Sequence, residues 1–123
     1  MIDFTRHVDP YRRIGYVSRD GGYIVWRTGT GGNVEVLHLK ADPPMRGTGT
    51  SLLREMLLTL ESDPPYATVF GFTRVGNMAG RAFYKSSGFT LVEVPGVYAE
   101  GRAVLFTAVY GELFETHLKR KPG

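Results

Sequence analysis

The chain has 123 residues, of which 42% are hydrophobic and 22% charged, a size and composition that suit one soluble domain built on a single core. It contains no cysteine, so disulfides, thiolate zinc sites and a cysteine nucleophile are excluded, and no metal is expected. The net charge of +3 is mild and partly concentrated in Lys119, Arg120 and Lys121; the remaining basic residues are dispersed without a recognition motif, so no nucleic-acid partner is expected.

In chain order, residues 2–8 alternate loosely and predict a strand, which Asp9-Pro10 breaks. This opening carries a charge alternation unlike a signal peptide, and no apolar run reaches the roughly 18 residues of a membrane span. A cytoplasmic protein with no membrane partner is therefore expected. Residues 14–18 and 23–27 read as two strands joined through Asp20-Gly21-Gly22, a hairpin signal. Residues 28–33 are glycine-rich, and their place between strands favours turn chemistry over a phosphate loop. Residues 34–39 form an apolar strand.

Asp42-Pro43-Pro44 ends that strand, and a helix follows with Leu52, Leu53, Met56, Leu57 and Leu60 on one face. Asp63-Pro64-Pro65 stops it. Residues 66–73 predict a strand. Asn77 predicts a cap for a helix over 78–86, ended by Gly88. Residues 89–94 and 103–110 complete the strands, with Pro95-Gly96 and Glu100-Gly101 read as loop or turn, and residues 112–120 predict a short helix. Four strands, helix, strand, helix and two strands describe a single α/β domain whose helices cover a mixed, largely antiparallel sheet.

The chemistry concentrates at Arg46-Gly47-Thr48-Gly49-Thr50. The first amides of a helix have no internal partner and carry part of a positive charge. Glycines let a ligand approach that backbone closely, so a diphosphate is the natural guest, and Arg46 adds a charge-assisted contact. No Gly-Lys-Ser/Thr follows, which excludes a P-loop, and the third glycine of a dinucleotide fingerprint is missing.

Two segments together resemble the GNAT superfamily, the Gcn5-related N-acetyltransferases. Pro44-Met45-Arg46-Gly47-Thr48-Gly49 is similar to the family's Gln/Arg-x-x-Gly-x-Gly/Ala at the start of its main helix, with Pro44 in place of the Gln or Arg. Asn77-Met78-Ala79-Gly80-Arg81-Ala82-Phe83-Tyr84-Lys85-Ser86-Ser87-Gly88-Phe89 is similar to the family's Asn-x-x-Ala-x-x-Phe/Leu-Tyr-x-x-x-Gly-Phe, with Gly80 in place of the Ala and the other named positions filled. The resemblance implies one domain over 1–123, with abridged N-terminal strands over 1–32, an acetyl-CoA-binding core over 33–110 and a C-terminal tail over 111–123. It implies a sheet whose middle strands splay apart around acetyl-CoA. The pyrophosphate would sit on the amides of Arg46 to Thr50, and the pantetheine would pair like an added strand with Leu37 to Leu39. Asn77 would cap its helix and contact the cosubstrate.

The activity implied is acetyl transfer from the thioester to a primary amine of a small molecule or peptide. Tyr84 would donate a proton to the departing sulfur. Glu35 and His38, on the fourth strand, are the candidate bases beside water. Their odd separation sends them to opposite faces of a regular strand unless a bulge intervenes. A backbone amide of that strand would stabilise the oxyanion. Family members carry one or two helices between the first two strands; the five residues 9–13 cannot form them. The acceptor side is then open, or completed in a homodimer. A non-catalytic module that binds acyl-CoA as a sensor or interaction domain is the alternative. Trp26, Tyr23, Tyr16 and Tyr11 belong to the core or line an acceptor pocket, and His7 and His117 are expected at the surface.

Overall fold

A computed structural model describes residues 3–42, 47–62, 64–99 and 101–118. Seven strands form one sheet in the order β1-β2-β3-β4-β5-β7-β6. They are β1 (Thr5–Asp9), β2 (Ile14–Arg19), β3 (Gly22–Thr28), β4 (Asn33–Ala41), β5 (Thr68–Arg74), β6 (Thr90–Tyr98) and β7 (Gly101–Val109). Three helices accompany them: α1 (Thr48–Thr59), α2 (Met78–Ser86) and α3 (Tyr110–Leu118). Every neighbouring pair is antiparallel except β4 and β5, which run parallel because α1 forms the crossover between them. The expected mixed, largely antiparallel α/β sheet is what the chain adopts.

Periodicity explains the core. In β2 and β3, Val17, Ile24 and Trp26 alternate with less buried neighbours and point one way. Leu52, Leu53, Met56 and Leu57 of α1 pack on them, together with Val34, Val36, Val69 and Phe106. Each of these helix side chains is fully buried, worth roughly 1.5–3 kcal/mol apiece. Helix α3 joins the same cluster through Tyr110 and Leu113, and the Tyr110 hydroxyl donates to the Leu57 carbonyl at 2.7 Å. The short helix predicted over 112–120 is present as α3, packed as far as Leu118, the last described residue.

All three helices cover one face of the sheet. The other face carries Tyr16 and Tyr23, whose rings stack 6.2 Å apart, and the edge-on pair Phe70 and Phe72; among the described residues no helix lies against it. The cause is local. Residues 9–13 form a tight turn in which the Asp9 carboxylate accepts from the amides of Tyr11 and Arg12, leaving no chain for a covering helix.

Pro95-Gly96, read from the sequence as loop, lies within β6, where the register slips between Val94 and Tyr98. Strand β6 is a sheet edge, and there the missing proline N–H removes no ladder bond.

Candidate active site

Strands β4 and β5 pair only from Asn33–Thr68 to Val36–Gly71. Beyond that they part, and a cleft of about 530 Å³ opens between them, lined by residues of β4 and β5 together with Asn77, Tyr84 and Tyr98. Leu37, His38 and Leu39 form its β4 wall.

A bulge shapes that wall. Val36 pairs with Trp26 and His38 pairs with Val25, so Leu37 is an extra residue with no partner on β3. It also lies past the last residue paired to β5. The extra residue reverses the alternation: Val34, Val36 and Leu39 all turn toward the core, since Leu39 lies opposite the buried Ile24. Glu35 and His38 consequently share the opposite face, the exception that a regular strand excludes. They do not share a role in the cleft. Glu35 accepts from Arg27 at 2.7 Å, whereas His38 is exposed and lines the cleft.

Tyr84 enters from the helical side. Its ring lies on Phe106, with centroids 3.6 Å apart and planes 8° apart, and meets Phe89 edge-on. Gly71 makes room for this packing, because a Cβ there would collide with the Phe106 ring. Burial raises the Tyr84 pKa well above the ordinary tyrosine value, and nearby Tyr98 adds to the rise. The phenol, protonated at neutral pH even at its ordinary value, is made a weaker acid by this burial. Asn77 caps α2 by accepting from the Gly80 amide at 3.0 Å and donates to Thr73 Oγ1 at 2.9 Å, fixing the helix on the end of β5.

Beside the cleft, α1 begins at Gly47 in the left-handed region (φ 78°) with no side-chain cap. Its ladder starts with the Ser51 amide on the Gly47 carbonyl, so the amides of Thr48, Gly49 and Thr50 have no intrahelical partner. The first turn holds no acidic residue. Arg19 instead donates to Ser51 Oγ at 2.8 Å. A cation at a helix N-terminus opposes the macrodipole, and the two together give the start of α1 a positive character that suits a phosphate group. Arg46 lies outside the described residues. Gly49 is required by packing as well as by any ligand: a Cβ there would stand 3.0 Å from the Phe83 ring of α2. The unpartnered amides of α1 thus fit a diphosphate, and the cleft holding Tyr84 and His38 fits the thioester end of an acyl-CoA.

Several residues emerge only from the fold. Phe72, Thr73, Arg74 and Tyr98 line the cleft, and the Arg74 guanidinium sits 4.7 Å over the Tyr98 ring. Arg74 lies just past the strand predicted over 66–73 and Tyr98 lies between the two dipeptides read as loop or turn, so neither carried a signal. Trp26 is core, Tyr11 is exposed, and Tyr16 and Tyr23 lie on the uncovered face. His7 is exposed as expected, but His117 is half-buried with Nε2 2.8 Å from the Ser87 carbonyl, because α3 folds back over the end of α2.

No family model matches the sequence, and no curated protein matches it either. Solved structures do match. A Desulfovibrio desulfuricans protein assigned to the GNAT family of acetyltransferases superposes with a TM-score of 0.73 at 15% identity, covering 89% of this chain and 99% of that one. IAA acetyltransferase from Bacillus cereus gives 0.72 at 12% identity over 89% and 99%. Arabidopsis thaliana NAA60, solved with acetyl-CoA, gives 0.71 at 15% identity over 89% and 98%. The chain has the fold of the GNAT acetyltransferases.

Proposed function

We propose that this protein is an acetyl-CoA-dependent N-acetyltransferase that acts on a primary amine. The observation that carries the reading is the parting of β4 and β5 after Val36 and Gly71, with the free amides of α1 beside the opening and Tyr84 within it. The fold shared with acetyltransferases supports it.

Acetyl-CoA supplies the acyl group: the amine nitrogen bonds to the acetyl carbon, the carbon–sulfur bond breaks, and the amine loses the proton that the thiolate must gain. The chain's own residues hold and balance these charges. The amides of Thr48, Gly49 and Thr50 hold phosphate. The open edge of β4 over Leu37 to Leu39 offers backbone groups to an extended ligand. A backbone amide of β4 at the Leu37 bulge donates to the carbonyl oxygen as negative charge develops there. His38 takes the amine proton, directly or through one water. Tyr84, a phenol protonated at neutral pH, donates toward the sulfur. Asn77 holds α2, and with it Tyr84, at the end of β5.

A non-catalytic acyl-CoA-binding sensor is the second reading, favoured by the short turn over residues 9–13, which leaves the acceptor side without helices. A homodimer that completes that side fits either reading.

The test is calorimetric titration with acetyl-CoA of the wild-type protein and of Thr50→Glu. Thr50 is exposed, and a carboxylate in the first turn stabilises α1 by about 0.3–1 kcal/mol while occupying and repelling at the anion site. Binding weakened at least tenfold in a variant of equal or higher Tm supports the site. Unchanged binding, or none by the wild type, overturns it. An amine panel then separates transferase from sensor. Gly49→Glu is the poorer probe, since its side chain would displace Phe83.

A further inference from the structure

The sheet face that carries no helix among the described residues has the wrong sequence for a face in water. An antiparallel sheet with one solvated face alternates apolar residues with polar ones. Here the outward positions include Tyr16, Tyr23, Val25, Phe70, Phe72 and Leu105, all half-buried. Seven strands about 4.8 Å apart, with about six residues each at about 3.4 Å, span a face of about 700 Å². That is close to the roughly 800 Å² that each partner buries in a standard interface. Contiguous apolar side chains over such a face mark an interaction surface.

The charges identify the partner. At the centre of the face Arg27 of β3 and Glu35 of β4 are cross-strand neighbours joined at 2.7 Å. A fitting partner has to present the inverse order, acid across from base and base across from acid. A second copy does so when it is turned over about a twofold axis that runs along the strands, between β3 and β4. That axis sets each residue of β3 across from the β4 residue it pairs with in its own sheet: Arg27 across from Glu35, Tyr23 from Lys40 and Val25 from His38. It sets Ile14 across from Phe70, since both lie in the row of Arg27 and Glu35. Two residues further along each strand, Tyr16 faces Phe72. Apolar side chains thus meet apolar ones, and Lys40 meets the ring of Tyr23. Stacked sheets lie about 10 Å apart, a gap that an arginine and a glutamate bridge together. A net charge of +3 is too small to hold two copies apart.

We propose that the uncovered face is the isologous interface of a homodimer, centred on Arg27 and Glu35. The start of α1 lies on the helical side of the sheet and stays open. The proposal stands apart from the transferase reading; on that reading, Val25 of the second copy closes the cleft beside His38. The modest area and the half-exposed central ion pair make this a micromolar dimer, so dilute protein is monomeric with the face open.

Sedimentation velocity between about 1 and 200 µM tests it. The wild type is expected to pass from monomer to dimer across that range. Arg27→Glu and Glu35→Arg each weaken association at least tenfold, because like charges then face each other across the axis. An equimolar mixture of the two variants regains it, because acid again faces base. Phe72→Lys, with a wild-type circular dichroism spectrum, stays monomeric; if that variant fails to fold, the charge variants decide alone. A wild type that remains monomeric at the highest concentration overturns the proposal and leaves the face to a different protein or a peptide. A dimer that survives both charge reversals, or a mixture that regains nothing, also overturns it, since neither fits this axis. Acetyl-CoA titration reads the transferase site separately. A protein that dimerises without binding acetyl-CoA keeps this interface and loses that reading, and a monomer that binds acetyl-CoA does the reverse.

Discussion

Tyr84 lies flat on Phe106, ring centroids 3.6 Å apart, so the ring of this tyrosine is held by packing and its hydroxyl is left for the cleft. Tyr84→Phe keeps the stack and removes only the hydroxyl. Acetyl-CoA affinity is expected to stay within about threefold of wild type, while kcat falls. A fall of 10²-fold or more is the size of a proton-transfer contribution. A fall near tenfold is the size of one hydrogen bond. Steady-state kinetics on any accepted amine distinguishes them, and an unchanged kcat removes Tyr84 from the chemistry.

Glu35 and His38 share a face because of the bulge at Leu37, but only His38 borders the cleft. His38→Gln is expected to lower kcat by about 10²-fold with little change in Tm. Glu35→Gln breaks an exposed ion pair with Arg27 and is expected to cost under 1 kcal/mol, with kcat nearly unchanged. The opposite ranking would assign the base to Glu35.

The sheet should tolerate change unequally on its two faces. Phe106, 1% exposed beneath the helices, is expected to cost about 3–5 kcal/mol on truncation to alanine. Phe72, half-buried on the uncovered face, is expected to cost under about 2 kcal/mol. Denaturant midpoints measure the difference; equal losses would mean that something covers the second face in solution.

Much of this arrangement was legible in the sequence. The spacing of Leu52, Leu53, Met56 and Leu57 names the buried face of α1, and Asn77 three residues before Gly80 names a cap, because both depend on neighbours along the chain. The bulge was not legible: Leu37 is an extra residue only relative to Val25 and Trp26 on another strand. The stack of Arg74 on Tyr98 joins residues 24 positions apart in the chain; the uncovered face, by contrast, was legible, since the five residues 9–13 are too few for a covering helix. Properties that depend on partners distant in sequence leave no local pattern to read.

Tyr110 ties stability to alkaline pH. Burial, with Glu61 and Tyr66 nearby, pushes its pKa up to about 12. The folded state keeps the proton that the unfolded chain gives up near 10. The contribution is complete below about pH 10 and is lost as pH rises from there to about 12, on the order of 2 kcal/mol. Tyr110→Phe forgoes the hydrogen bond to Leu57, so it is expected to be about 1 kcal/mol less stable at pH 7. Its stability should then fall less steeply than that of wild type between pH 10 and 12. Urea unfolding across that range checks both statements, and parallel curves would contradict the assignment.

The packing of Gly49 against Phe83 has a mechanical side. Phe83 meets Tyr84 edge-on at 5.3 Å, so the start of α1 and the inner wall of the cleft are joined through one aromatic contact and do not move independently. For a ligand that must reach both, the protein acts as a ruler of fixed length. On the proposed transferase reading, an acyl group on a shorter carrier would engage one end only, and a missing Cβ and one phenyl ring would set the span that discriminates between carriers.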